Sequence, residues 1–312
     1  MEVTRRNFIK SSAVLAAGSV FGGTTLLHAN EKKQINPQLT QFQLACMTLP
    51  YSSFSMERAL RGIKDAGYKY VAWGTTHMEN GTRTPALAAD ASPEKAKDLA
   101  KRCRDMGLET LMMFSEVYPD AENGLETLTN RLKQAGAAGV PQVLTFGDIK
   151  GGDPKLWIER FKILGPIARD CGVLLVAKQH GGVTTGTGEA CVKIIREVAD
   201  DGVKVCYDGG NVLWYLDVDP IEDIKTCADE VRSFCIKDHR YFPKKITCGP
   251  GLGDIDHYKL LHTVAFTGRK IPLCCENISA PYLPRPTTPE EIDALAKRAL
   301  EFLELVTRGV HA

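Results

Sequence analysis

The stretch Gly172–Asn211, GVLLVAKQHGGVTTGTGEACVKIIREVADDGVKVCYDGGN, holds two short apolar runs on either side of a longer helix-patterned segment. Gly172–Ala177 and Val203–Tyr207 are rich in aliphatic and β-branched residues, as expected of strands buried on both faces. Glu189–Asp200 between them reads as a helix. Gly172 and Gly202 stand where a helix must stop before a strand begins, a place that favours a residue without a Cβ. The first strand runs out into Lys178-Gln179-His180 and the second into Asp208-Gly209-Gly210-Asn211. An apolar run that delivers a lysine and a histidine to its tip either ends at the surface or lines a site.

The same rhythm recurs along the chain. Strands are expected at Phe42–Thr48, Tyr68–Trp73, Leu108–Phe114, Pro141–Phe146, Val231–Ile236 and Ile271–Cys275 as well. Helices are expected at Glu57–Ala66, Pro93–Met106, Leu125–Gly139, Trp157–Cys171, Pro220–Ala228, Asp254–Phe266 and Pro289–Val306. Ser92-Pro93-Glu94 and Thr288-Pro289-Glu290 place a cap residue before a proline and an acid, which marks helix starts. Eight strand-helix units over roughly 270 residues fit an α/β protein of the (β/α)8 TIM barrel type, whose usual size is about 250 residues. A doubly wound sheet would want a glycine-rich phosphate turn after an early strand. Leu49-Pro50-Tyr51-Ser52-Ser53 follows the first strand instead. One domain is expected over residues 41–310, with no internal linker.

Of the 312 residues, 39 are Lys or Arg and 38 are Asp or Glu, a net charge of +1 that argues against a nucleic-acid partner. No purely apolar run reaches the length of a membrane span. Thr4-Arg5-Arg6-Asn7-Phe8-Ile9-Lys10, followed by a mildly apolar stretch to Leu27-His28-Ala29, has the pattern of a twin-arginine export signal over residues 1–29. A polar linker at 30–40 follows. The expected destination is the periplasm or the extracellular space, with no membrane contact after export. The ten cysteines contain no CxxC pair, so mostly free, buried thiols are expected.

Function in such a barrel gathers at the C-terminal ends of the strands. The polar residues there are Thr75, Thr76, His77 and Glu79, then Ser115 and Glu116, then Gly147 and Asp148. After them come Lys178-Gln179-His180, Asp208–Asn211, Lys237-Asp238-His239-Arg240 and Glu276-Asn277. His77, Glu79 and Asp148 read as ordinary loop residues. Four consecutive strands ending in charged groups are harder to dismiss. Strand alternation puts Lys178 on the same face as His180, and Cys235 on the same face as Lys237.

On Asp208 in Tyr207–Asn211, Lys237-Asp238 after Cys235-Ile236, the loop Gly249-Pro250-Gly251-Leu252-Gly253-Asp254 and Glu276 at the last strand, the chain resembles the xylose isomerase-like barrel superfamily. Its members are sugar isomerases, epimerases and related lyases, and the resemblance covers residues 40 to 310. The resemblance implies a divalent metal (manganese, magnesium or zinc) held by a glutamate on strand five, an aspartate on six, a histidine on seven and a glutamate on eight. Asp208 and Glu276 match two of these positions. Lys178 stands at the strand-five glutamate and Cys235 at the strand-seven histidine, while Asn211 replaces a histidine usual three residues after the aspartate.

Exchanging a carboxylate for an ammonium shifts the local charge by two units toward positive, which repels a divalent cation. In one arrangement the Lys178 ammonium takes the metal's place between Asp208 and Glu276. In the other a displaced metal sits on His180, Asp208, Glu276 and Asp238. The first is adopted here, because buried carboxylates need a counter-cation and Lys178 supplies one.

The chemistry the resemblance implies is proton removal next to a carbonyl, which needs a base and a cation for the developing oxyanion. The catalytic candidates are Lys178, His180, Asp208, Lys237 and Glu276. Glu276 or Asp208 would act as base, Lys178 and Lys237 would polarise the carbonyl, and His180 would shuttle the proton. Asn211, Asp238, His239, Arg240 and Glu116 are candidates to hold hydroxyl groups. The expected partner is a small-molecule carbohydrate: a neutral sugar, keto-sugar or glycoside. Elimination by a keto-glycoside lyase or dehydratase would use the same residues. A sugar-binding barrel without turnover is a further alternative, and a metal-dependent endonuclease fits poorly with only seven histidines. The glycine loop Gly249–Gly253 is open to two readings, an anion cradle or a solvent turn. The oligomeric state is left open, a homodimer included.

Overall fold

Eight parallel strands close into a barrel in which every strand pairs with its neighbours in sequence. The computed structural model describes residues 38–115, 117–148 and 152–311. The strands are β1 Gln41–Met47, β2 Tyr70–Trp73, β3 Glu109–Phe114 and β4 Gln142–Phe146. They continue with β5 Leu174–Lys178, β6 Val203–Tyr207, β7 Val231–Ile236 and β8 Lys270–Cys275. The ring closes through β8 on β1, from Gln41 opposite Lys270 to Cys46 opposite Cys275. The protein is therefore the (β/α)8 barrel that the strand-helix rhythm predicts. The proposed export signal and the linker as far as residue 37 lie outside the described residues, as does Glu116. Within the expected linker, Thr40 is already buried and tied to the barrel by its N–H to the carbonyl of Ala265.

Two apolar layers explain why the strands read as unbroken hydrophobic runs. One face of each strand packs under the surrounding helices, where Leu175, Ala177, Val203 and Val205 are fully buried. The opposite face fills the barrel interior, where Met47, Phe114, Phe146, Val176, Cys206, Cys235 and Cys274 meet. All ten cysteines are free, and all but Cys171 are buried. None of the helices described is long and apolar enough to cross a membrane.

The loops at the C-terminal rim carry elements the sequence reading passed over. A hairpin of Thr76–Glu79 against Thr82–Pro85 follows β2. Its turn, Asn80-Gly81, has both residues at positive φ, the conformation for which Asn-Gly is the strongest hairpin signal. A second hairpin pairs Asp238–Arg240 with Ile246–Cys248 after β7. A helix over Gly209–Leu216 follows β6 directly, capped by Asp208. The helix expected over Asp254–Phe266 is confined to His257–His262, capped by Asp256, while Asp254 and Ile255 before it donate their N–H groups to the His239 carbonyl and the Asp238 carboxylate.

Candidate active site

The interior positions of four strands continue past their last rungs into charge. Val176 is followed on its face by Lys178, Cys206 by Asp208, Cys235 by Lys237 and Cys274 by Glu276. The top of the barrel interior is thus apolar on the β1 to β4 side and ionic on the β5 to β8 side.

The four charged groups form one cluster. Lys178 Nζ donates to Glu276 Oε2 at 2.7 Å and lies 3.3 Å from Asp208 Oδ2. Lys237 Nζ lies 3.0 Å from Asp208 Oδ2 and 3.2 Å from Glu276 Oε1. Two ammonium groups therefore face two carboxylates, and the cluster is neutral. Lys178 is 1% exposed, and its Nζ sits 5.2 Å and 5.3 Å from the ring centres of Phe114 and Phe146. Burial opposes the charged form of both lysines, but the facing carboxylates outweigh it and hold Lys178 and Lys237 above the ordinary lysine range. Burial likewise opposes ionisation of Glu276, yet the two ammonium groups pull its pKa well below the carboxylate range. Glu276 is thereby a firm anion and a poor base.

Asp208 divides its carboxylate between two tasks. Oδ2 faces the lysines, while Oδ1 accepts from Asn211 N–H at 2.9 Å and caps the Gly209–Leu216 helix. Gln179, whose side chain points away from the cavity face, accepts the Asp208 N–H at 2.9 Å. Asn211 donates its amide to the Gln179 carbonyl at 2.8 Å. Its expected role of holding substrate is accordingly replaced by bracing the strand tips. Sequence reasoning assigned nothing to Gln179; its signal was a polar residue at a fully buried strand end.

His180 lies beside the cluster, edge-on to Phe146 at 4.9 Å and against Tyr215 at 5.1 Å. Burial and then the positive charge of Lys178 lower its pKa, so the imidazole is neutral at neutral pH. Its Nδ1 is 3.3 Å from the Gly181 carbonyl, which places the proton on Nδ1 and the lone pair on Nε2. His239 is buried, stacks on Trp214 at 4.7 Å, and has neither ring nitrogen hydrogen-bonded among the described residues. Burial and the nearby Lys237 lower its pKa to about 4. The Gly209–Leu216 helix thus lays consecutive aromatic rings over two histidines, a pattern hidden in the sequence because the helix opens with two glycines.

Two expected contacts are corrected by the structure. Asp238 does not face the barrel mouth: its carboxylate accepts the backbone N–H groups of His239, Gly251, Gly253 and Ile255 at 2.8 to 3.1 Å. Strand alternation turns Asp238 away from the side that Lys237 faces, and the glycine loop Gly249–Gly253 wraps its carboxylate rather than a ligand. Arg240 donates to the Tyr282 hydroxyl and covers that ring, out on the rim. His77 and Glu79 are structural: His77 bridges the Phe54 carbonyl and Thr48, and Glu79 accepts from Met56 N–H. Asp148 accepts from Thr184 N–H at 2.8 Å and so pins the loop after β5.

A cavity of about 350 Å³ opens onto the cluster, walled by Met47, Leu49, Thr75, Phe114, Phe146, Lys178, His180 and Glu276. Its size and its mix of aromatic walls with a few convergent polar groups suit a small polar ligand. The aromatic walls were missed as site residues because each reads simply as the apolar end of a strand.

Asp208, Cys235 and Glu276 each bring a donor atom within 4.8 Å of the others, the one group of that kind among the described residues. The set does not fit a divalent cation. Both carboxylates already hold two ammonium groups, and burial pushes the Cys235 thiol up, so it is not the thiolate that zinc prefers. His180 and Asp238, the further ligands of the displaced-metal arrangement, do not belong to the group.

A barrel with a charged cluster at the strand ends defines the class, and the xylose isomerase-like TIM barrel family model matches residues 60–304. The chain belongs to that family. No curated protein matches its sequence. Among solved structures, it is similar to a xylose isomerase-like TIM barrel protein from Mycobacterium smegmatis in complex with magnesium, at 18% identity and a TM-score of 0.66, covering 86% of this chain and 98% of that one. An L-ribulose 3-epimerase matches at 17% identity and a TM-score of 0.63, over 86% and 95%. A xylose isomerase-like TIM barrel/4-hydroxyphenylpyruvate dioxygenase fusion protein matches at 20% identity and 0.66, over 86% of this chain, which spans 43% of the fusion protein's length. At these identities the likeness is one of fold.

Proposed function

We propose that the protein is a carbohydrate isomerase or epimerase that forms an enediolate with paired ammonium groups where relatives use a metal. The observation that carries this reading is the cluster itself: Lys178 and Lys237 are locked between Asp208 and Glu276, and Lys178 and Glu276 wall a cavity that also presents neutral His180.

A substrate carbonyl placed against Lys178 meets a buried positive charge whose counter-ions are fixed beforehand. Preorganised charge of this kind stabilises a developing oxyanion without reorganisation during the reaction. Glu276 and Asp208 keep the lysines charged and aimed, so the base is His180, whose Nε2 lone pair is free. His180 removes the proton from the carbon next to the carbonyl, Lys178 hydrogen-bonds the enediolate oxygen, and the same imidazole returns the proton to the neighbouring carbon on the same face, epimerisation requiring the enediolate to turn its other face to His180 first. His180 thereby takes the part of base first expected of Glu276 or Asp208, and the two carboxylates serve as counter-ions. We further place this reaction outside the cytoplasm, on the twin-arginine pattern of residues 4–10.

Incubation with a panel of ketoses and aldoses in D2O, followed by proton NMR, tests the reading. Deuterium appearing next to the carbonyl, with a new isomer, supports it. A new unsaturated product would instead identify a lyase. Sugar binding without any exchange would leave a binding barrel and end the catalytic proposal.

A further inference from the structure

A cavity of about 210 Å³ lies beside the catalytic one and shares the walls Gly74, Thr75 and Phe114 with it. Its other walls are mainly apolar, and Arg131, on the helix Gly124–Ala138, is the one charged residue among them. Arg131 Nη1 donates to the carbonyl oxygens of Leu87 and Ala88 and to Gln134 Oε1, at 2.9 to 3.3 Å, which fixes the guanidinium in place. Its other edge is unspent. Nε is buried without an acceptor, and neither Nε nor Nη2 meets a carboxylate at ion-pair distance among the described residues. Burial pulls the pKa of the group down, and the charge opposing that shift is Asp90, exposed on the preceding loop. The four-charge cluster is neutral as a whole, so Arg131 is a fixed positive charge without a close counter-ion beside the catalytic cavity.

We infer that this cavity is an oxyanion subsite, and that the substrate is an aldose or ketose carrying a carboxylate or phosphate at the end remote from its carbonyl. The inference rests on the carbohydrate reading above and deepens it, replacing the neutral sugar first expected with an anionic one. Phe114 stands between the two ends of such a substrate: its ring centre lies 5.2 Å from Lys178 Nζ, and it also walls the Arg131 cavity. A chain whose carbonyl rests at Lys178 therefore runs past Phe114 toward the guanidinium. A guanidinium among apolar walls is left short of acceptors, and a carboxylate or phosphate fills its Nε and Nη2 edge with two charge-assisted hydrogen bonds. A neutral hydroxymethyl group would accept one such bond and leave the charge uncompensated.

Calorimetric titration of the full chain tests this, with glucose, galactose and fructose each set beside its uronate and its 6-phosphate. The anionic member is expected to bind at least tenfold more tightly than its neutral parent, and the gain is expected to shrink as salt rises. Ala89→Glu puts a carboxylate on a wall of the cavity and leaves the backbone bonds of that loop in place. It is expected to erase the gain while leaving neutral-sugar affinity and the unfolding temperature unchanged. Arg131→Gln is expected to erase the gain as well, and Ala89→Glu carries the test should loss of the Arg131 braces unfold the loop. A uronate that outbinds the 6-phosphate identifies a carboxylate substrate and the reverse order a phosphate, and either supports the subsite. Equal affinity for neutral and anionic members in the wild type overturns it, as does a gain that survives in Ala89→Glu. If no sugar of the panel binds, the carbohydrate reading falls and the subsite with it; neutral sugars that bind without anionic preference remove the subsite alone.

Discussion

Lys178 and Glu276, 98 residues apart in the chain, meet at 2.7 Å at the centre of the barrel mouth. The contact spans from β5 to β8 across the interior, so it forms once the ring has closed. It also makes each residue the other's main electrostatic determinant, which Asp208 and Lys237 complete from the two intervening strands.

Removing one member of such a buried cluster strands its partners. Lys178→Met is expected to lower stability by about 3–5 kcal/mol, since two carboxylates would then share one ammonium. The double variant Lys178→Met, Glu276→Gln restores neutrality and should recover part of that loss, with solvent exchange still absent. Urea unfolding measures the first effect and D2O exchange the second. A Lys178→Met protein as stable as wild type would show that the cluster does not bear on folding.

His239 gives stability a pH dependence with a definite sign. Its pKa is about 4 in the folded protein against an ordinary 6.5, so between these values the unfolded chain binds the proton more readily. Its contribution is complete above pH 6.5 and is lost as pH falls toward 4, a change on the order of 3 kcal/mol. Glu276, depressed below its ordinary 4.5, adds a further loss that begins beneath that pH. The raised lysines keep their contribution until pH climbs past about 10.5. Unfolding free energies across pH 4–7 should show a shallower slope in His239→Phe than in wild type. Identical slopes would sink the assignment.

The fit of the site to a cation other than ammonium is tested by charge reversal. Wild-type protein dialysed against manganese or zinc is expected to retain less than a stoichiometric amount. Lys178→Glu combined with Cys235→His supplies two further ligands and should bind one metal ion, read by elemental analysis. Tight stoichiometric binding by the wild type would overturn the ammonium reading.

His180→Gln is expected to slow exchange by about 10²- to 10⁴-fold, the usual contribution of a general base, with sugar affinity changed little. Loss of affinity alongside rate would make His180 a binding residue rather than the base.

Asp238→Ala leaves the backbone N–H groups of His239, Gly251, Gly253 and Ile255 without their common acceptor. A cost of about 3 kcal/mol is expected, with faster proteolysis of the Gly249–Gly253 loop. Unchanged stability would mean that the loop holds itself.

The barrel was legible because the strands are buried on both faces and most are followed by a helix with a side-chain cap, Ser55, Asp153, Thr187 and Thr288 among them. The cluster was legible for a different reason: alternation aligned Lys178, Asp208, Lys237 and Glu276 with interior residues two positions earlier. The same rule, carried one residue further, assigns Asp238 to the outside, so that misreading was avoidable. The aromatic walls Phe114 and Phe146 were not separable from core, because a ring at a strand tip packs and lines a cavity at once. The Gly209–Leu216 helix was masked by glycines of low helix propensity, and only the Asp208 cap announced it.

That cap has an evolutionary consequence. Asp208 answers to two structures, the helix through Oδ1 and the ion cluster through Oδ2, whereas each lysine answers to one. A lineage that exchanges its cation has freedom at Lys178 and Lys237, but substitution of Asp208 would also unseat Trp214 and Tyr215 from the histidines they cover. Among the four charges, the aspartate is the one selection holds from two sides, and it is the last that drift should remove.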